Sequence, residues 1–215
     1  MADSSNSAAG VARTRWLGLA HRLGISTDDA IGLGDSLIEA YTGPGRHHHD
    51  IGHVVEVLEA IGDLLGTPAP VDAELAAWFH DAVYDAKAGD DERASAVMAH
   101  AELTGVGVEH KLVERVASLV EATANHTCGP DDGVGAAFLD ADLSVLGTDD
   151  ARYDRYAQAV RQEYSHLDEP TWRTGRAAVL ASLLERHPLF MSESGQRRWE
   201  TRARANMARE LEGLQ

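Results

Sequence analysis

The chain has 215 residues, enough for one domain of generous size or two small ones, and enough to bury a core without covalent staples. Its 19 Lys and Arg against 35 Asp and Glu leave a formal charge of −16, and a surface that acidic repels nucleic-acid backbones and anionic lipid. The single cysteine excludes an intrachain disulfide and a Cys-rich zinc module, and no apolar run approaches the roughly 18–20 residues of a membrane span.

The first ten residues, MADSSNSAAG, lack the basic start and long apolar stretch of a secretory signal, so a soluble cytoplasmic protein is expected. Small and polar, they read as a disordered tail, with one helical domain over residues 11–215. Helical spacing then recurs along the chain. The first helix covers Val11–Leu23. The second covers about Asp28–Tyr41, behind a Ser26-Thr27-Asp28 cap signal. After the breaker Thr42-Gly43-Pro44-Gly45, a third carries Val54, Val57, Leu58, Ile61 and Leu65 on one stripe and ends at Gly66. A fourth carries Leu75, Ala76, Phe79 and Val83. A fifth covers Asp90–Leu103, and a sixth carries Leu112, Val113, Val116, Leu119, Val120 and Thr123. The segment Cys128–Gly135 is a loop. Further helices cover about Ala136–Leu146, Asp150–Ser165, Pro170–Arg186 and Ser194–Leu211, with Pro170 suited to a first turn. Alternating strand patterns are absent, which predicts a single all-α domain.

Eleven histidines are unusual for this length, and four places set them or aspartates on apolar helix faces. In RHHHDIGHVVEVL, His49 and His53 are four apart and can share one face. In ELAAWFHDAVYD, His80 falls on the inward stripe and Asp81 follows it. That pair is either a structural His–Asp tie or part of a metal site, because an unpaired buried carboxylate is too costly. In AAFLDADLSVLG, Asp142 shares the stripe of Phe138, Ala141, Val145 and Leu146, while Asp140 points elsewhere. Asp142 needs a cation or several donors there, whether a metal or a buried pair with an arginine, and Asp140 is the fallback. In LVEATANH, His126 extends the Leu119–Val120–Thr123 face, as a helix C-terminal histidine or as a ligand. Together these residues can converge in a bundle core. Mixed imidazole and carboxylate donors suit Mn²⁺, Fe²⁺, Co²⁺, Ni²⁺ or Zn²⁺.

The ordered set His53, His80-Asp81, Asp142 resembles that of the HD-domain metal-dependent phosphohydrolases. It is most similar to a bacterial group of small stand-alone members, around RHHHDIGHV, AAWFHDAVYD, ATANH, FLDADLSVLG and YDRYAQAVRQEY. The likeness runs from about Tyr41 to the end. Two positions depart from the pattern, His48 where a Tyr is expected and Asp50 where an Asn is expected. The resemblance implies a helical HD-type bundle with a divalent ion (Mn, Co, Ni, Zn, Fe or Mg) in its core, held by His53, His80, Asp81 and Asp142. It also implies hydrolysis of a small phosphomonoester, a nucleoside 5′-monophosphate being the best guess.

For that chemistry Asp81, Asp85 and Glu92 are the expected catalytic acids, with Asp91 a further acid. Arg46, His49, His126 and Arg161 are the expected substrate contacts, and Arg46 is the leading phosphate ligand because Gly43-Pro44-Gly45 turns it toward His53. Two other classes compete. One is a di-iron oxygenase on the same fold, using the spare His49, His100, His110 and His126. The other is a non-catalytic scaffold in which the His–Asp set is a structural tie.

Overall fold

The computed structural model describes residues 2–85 and 90–214. Among these there is no strand. The helices are α1 (Ala2–Arg22), α2 (Thr27–Thr42), α3 (Ile51–Leu65), α4 (Val71–Phe79), α5 (Asp90–Gly105), α6 (His110–Ala122), α7 (Gly133–Asp142), α8 (Asp150–Glu163), α9 (Glu169–Glu185), the single turn α10 (Glu193–Gly195) and α11 (Thr201–Leu214). A 3₁₀ turn, Leu143–Gly147, follows α7, and a π turn, Gln196–Glu200, joins α10 to α11.

The Ser26 cap that the sequence signals is formed, and aspartates cap α3 and α9. Ser26 accepts the Asp29 amide at the start of α2, and Asp50 accepts the amides of Gly52 and His53 at the start of α3. α3 ends where Gly66 takes φ 87°, a left-handed conformation that costs glycine nothing, and donates its N–H to the Gly62 carbonyl. Asp168 caps α9 through the Thr171 amide, with Pro170 in its first turn.

Two expectations change. α1 begins at Ala2, so the segment expected to be a disordered tail is helical; Ala8 and Ala9 pack against the main core and extend the helix past its apolar stripe. α4 stops at Phe79 instead of running on through Val83. Tertiary bonds hold the chain out of the helix there. Arg46 takes the carbonyls of Asp81 and Ala82, and the Tyr41 hydroxyl accepts the Asp81 amide.

Two apolar clusters fill the bundle. The larger packs α1–α7 around Trp16, Trp78, Phe79 and Phe138, with the Trp16 and Trp78 rings edge to face at 5.3 Å. The smaller joins the 3₁₀ turn, α8, α9 and α11 through Leu146, Tyr153, Leu180, Phe190 and Met207. Trp199 packs against both clusters. α7 lies in the first and runs directly into the 3₁₀ turn of the second, so its last residue, Asp142, stands on the seam.

Candidate metal centre and its cavity

α3 contributes His53 from its first turn, the end of α4 contributes His80 and Asp81, and α7 contributes Asp142 from its last position. His53 Nε2 lies 3.1 Å from His80 Nε2, 3.1 Å from Asp142 Oδ1 and 3.7 Å from Asp81 Oδ2. His80 Nε2 lies 3.0 Å from Asp81 Oδ2 and 3.4 Å from Asp142 Oδ1. Donors held about 2.0–2.2 Å from one shared ion stand about 2.8–3.6 Å apart at octahedral or tetrahedral angles. The spacings among His53, His80 and Asp142 therefore fit a common cation, with Asp81 adjoining through His80.

The tautomer fits as well. His80 Nδ1 lies 3.0 Å from the Ala77 carbonyl, which can only accept, so Nδ1 carries a hydrogen and Nε2 is the nitrogen left to meet a cation or a carboxylate. The electrostatics agree. Burial alone would raise the carboxyl pKa values, yet His80 and neighbouring imidazoles hold both Asp81 and Asp142 below the usual carboxylate range. Burial opposes a proton on His80, yet the two carboxylates raise its pKa well above 6.5. Two half-buried carboxylates facing two buried imidazoles draw positive charge into this point.

His126 stands beside this group, with Nε2 2.9 Å from Asp142 Oδ2, the oxygen turned away from His53. It is the one described non-glycine residue with positive φ, 49°, a conformation that a bulky side chain adopts at a cost. Asp140 does something else. Its oxygens accept the amides of Met191 and Ser192 at 2.6 and 2.7 Å, and it fixes the loop ahead of α10. The carboxylate also lies so close to Gly195 that any side chain there would collide with it.

The surrounding groups hold the site in shape. Glu163, at the end of α8, accepts the amides of His47, His48 and His49 through one oxygen, at 2.8, 2.7 and 2.9 Å. Its other oxygen meets His49 Nδ1 at 2.7 Å and accepts the Tyr84 hydroxyl at 3.0 Å. Against the penalty of burial, His49 and these amides bring the Glu163 pKa down to about 2. His48 is buried against His49, His53 and Tyr156, and burial, reinforced by its histidine neighbours, lowers its pKa well below 6.5.

Glu163 was not among the site residues expected from sequence. The signal for it was its place on the inward face of α8, three residues after the buried Val160 and ten after Tyr153.

Arg46 is not aimed at a phosphate. Its guanidinium donates to the carbonyls of His49, Asp81 and Ala82 at 2.7–2.9 Å and lies over the Tyr41 and Tyr84 rings. These three hydrogen bonds turn its guanidinium toward backbone carbonyls, so it ties the start of α3 to the His80–Asp81 turn. Arg161 is likewise engaged, with the carbonyls of Tyr164 and Leu167, with Glu169 and with the face of Trp172. Asp85 lies past the end of α4, and its amide donates to the carboxylate of Asp91. Neither Arg46, Arg161, Asp85 nor Asp91 lines the cavity beside the centre.

That cavity holds about 510 Å³. Its lining includes Asp142, His126, His49, Glu92, Tyr156 and Arg186, so three expected residues from different parts of the chain, His49 ahead of α3, His126 past α6 and Glu92 in α5, line one space. A second group with ligand spacing, His100, His110 and Glu114, lies on the outer face of α5 and α6. No family model, curated protein or solved structure matches the chain.

Proposed function

We propose that this protein is a metal-dependent phosphohydrolase that releases phosphate from a small phosphomonoester, a nucleoside 5′-monophosphate being the leading substrate. The observation that carries this is the cluster of His53, His80 and Asp142, whose donor atoms stand 3.1–3.4 Å apart beside an open cavity, with Asp81 Oδ2 3.0 Å from His80 and 3.7 Å from His53. The likeness of the same ordered residues to the HD-domain phosphohydrolases supports the reaction class.

A divalent ion bound there would acidify a water and neutralise charge on a phosphoryl oxygen. His53 and His80 are the neutral donors and Asp81 and Asp142 the anionic ones. Phosphoryl transfer asks mainly for positioning and charge neutralisation, so the rigid surround matters. Arg46 fixes the backbone of Asp81, and Glu163 fixes the His47–His49 segment that leads into α3. His49, His126 and Glu92 line the cavity and are the groups able to take or give a proton at the attacked and leaving oxygens.

The experiment is a phosphate-release screen over nucleoside monophosphates and sugar phosphates, with Mn²⁺, Co²⁺, Ni²⁺, Zn²⁺, Fe²⁺ and Mg²⁺ each added. Metal-dependent release from at least one monoester is expected. No release with any ion overturns the reading, and oxygen consumption with iron would put the di-iron oxygenase in its place.

A further inference from the structure

A divalent ion held by His53, His80, Asp81 and Asp142 would neutralise one side of a bound phosphoryl group, and with Arg46 committed to carbonyls the opposite side would need another cation. α9 forms one wall of the cavity with Ala178, Val179, Ser182, Leu183 and, just past the last turn, Arg186. These positions recur at spacings of three and four, so a single helix face turns toward the metal side. Arg186 is the only Lys or Arg among the described lining residues.

Its neighbours are all engaged. Arg176 pairs with Glu210, Arg173 with Glu169 and the Gly213 carbonyl, and Arg204 with Glu200. The Arg186 side chain is half-buried, yet it makes no hydrogen bond, ion pair or ring contact with any described residue. Most described arginines pair with a carboxylate, and Arg186 is one of the few that do not.

The backbone beneath that unengaged head is anchored. The Arg186 amide donates to the Leu183 carbonyl, and its own carbonyl accepts from the Arg204 guanidinium. A few residues on, the amides of Leu189 and Phe190 donate to Glu200. The base of the side chain is thus fixed on one wall of a cavity whose lining also includes Asp142 of the metal cluster. A guanidinium so placed matches a phosphate or carboxylate in a two-pronged contact.

We infer that Arg186 binds the anionic group of the substrate, gripping the phosphoryl oxygens from the side opposite His53, His80, Asp81 and Asp142. This rests on the phosphohydrolase reading of the same cavity and adds the residue that selects for a dianionic ester.

The test uses the metal-loaded full chain and inorganic phosphate as the probe. Metal content, thermal stability, phosphate affinity and monoester kinetics are compared for wild type, Arg186→Gln and Arg186→Lys. Loss of a charge-assisted pair should weaken phosphate binding about tenfold to hundredfold in Arg186→Gln and raise KM in step. Arg186→Lys should recover part of the affinity. Metal content and melting temperature should stay at the wild-type values, because the side chain supports no other residue. Phosphate binding within about twofold of wild type in Arg186→Gln, beside an active wild type, overturns this inference alone, since that is far below a charged-bond effect. A marked loss of thermal stability in the variant also overturns it, since the side chain would then be structural. A wild type that takes up metal but neither binds phosphate nor cleaves a monoester overturns both this inference and the reading beneath it.

Discussion

His53, His80 and Asp142 on the seam of the bundle, and His100, His110 and Glu114 on its outer face, both bring three donor atoms within 4.8 Å of one another. Spacing alone does not separate them; what surrounds them does. In the first group the side chains are 3%, 1% and 13% exposed, and in the second 46%, 81% and 58%. The seam group has a carbonyl fixing the His80 tautomer, a second carboxylate in Asp81 and an arginine holding the adjoining turn. On the outer face, water can satisfy every donor, and three mobile side chains would have to be ordered to make a site. Donors form a centre when the fold has already removed their other options.

The largest expected effect of breaking this contrast is on catalysis. His80→Ala or Asp142→Ala should lower phosphate release by at least about a thousandfold, because the interactions made in the transition state go with the ion. His100→Ala should leave turnover unchanged. An Asp142→Ala enzyme that keeps its turnover while Asp140→Ala is dead would exchange the roles assigned to the two carboxylates.

The next effect concerns the surround. Glu163 has a folded-state pKa of about 2 against an ordinary value of 4.5, and its side chain is fully buried. A depressed carboxyl contributes stability that is fully present above the unfolded value and is lost as pH falls through the folded one. Glu163→Gln should therefore cost about 3 kcal/mol at neutral pH. Denaturant titrations from pH 7 to pH 2.5 should show the gap between wild type and variant closing below about pH 4.5. A gap that stays constant through that window would mean the charge of Glu163 adds nothing.

A smaller effect is expected at Arg46. Arg46→Gln removes support from the Asp81 turn and should weaken metal affinity about tenfold to hundredfold, with KM at saturating metal little changed. A raised KM with unaltered metal affinity would return Arg46 to the phosphate-binding role that its sequence position suggests. Smallest of all, Glu114→Ala should move stability by no more than about 0.5 kcal/mol, as surface substitutions do.

Local rules made much of this legible in the sequence. The α3 stripe, the Ser26 cap and the Gly66 stop each depend on residues within a turn of one another, and the structure has them. The seam residues were legible for the same reason, as ligand-type side chains on inward helix faces. What escaped was set by distant partners. The end of α4 is fixed by Arg46 and Tyr41, 35 and 40 residues away from Asp81. The value of Glu163 comes from amides 114–116 residues away. Arg46 itself has a turn before it and a histidine helix after it, which reads as an anion site; only the fold reveals three carbonyls in reach of its guanidinium.

The most direct measurement is elemental analysis of the purified chain, stripped with chelator, reloaded with a single divalent metal and desalted. Wild type, His80→Ala, Asp142→Ala and a His100→Ala/Glu114→Ala double variant are compared. The account predicts a stoichiometric ion in the wild type and in the outer-face variant, and less than about a tenth of that in His80→Ala and Asp142→Ala. Full metal content in His80→Ala and Asp142→Ala, or its loss only in the outer-face variant, would contradict it.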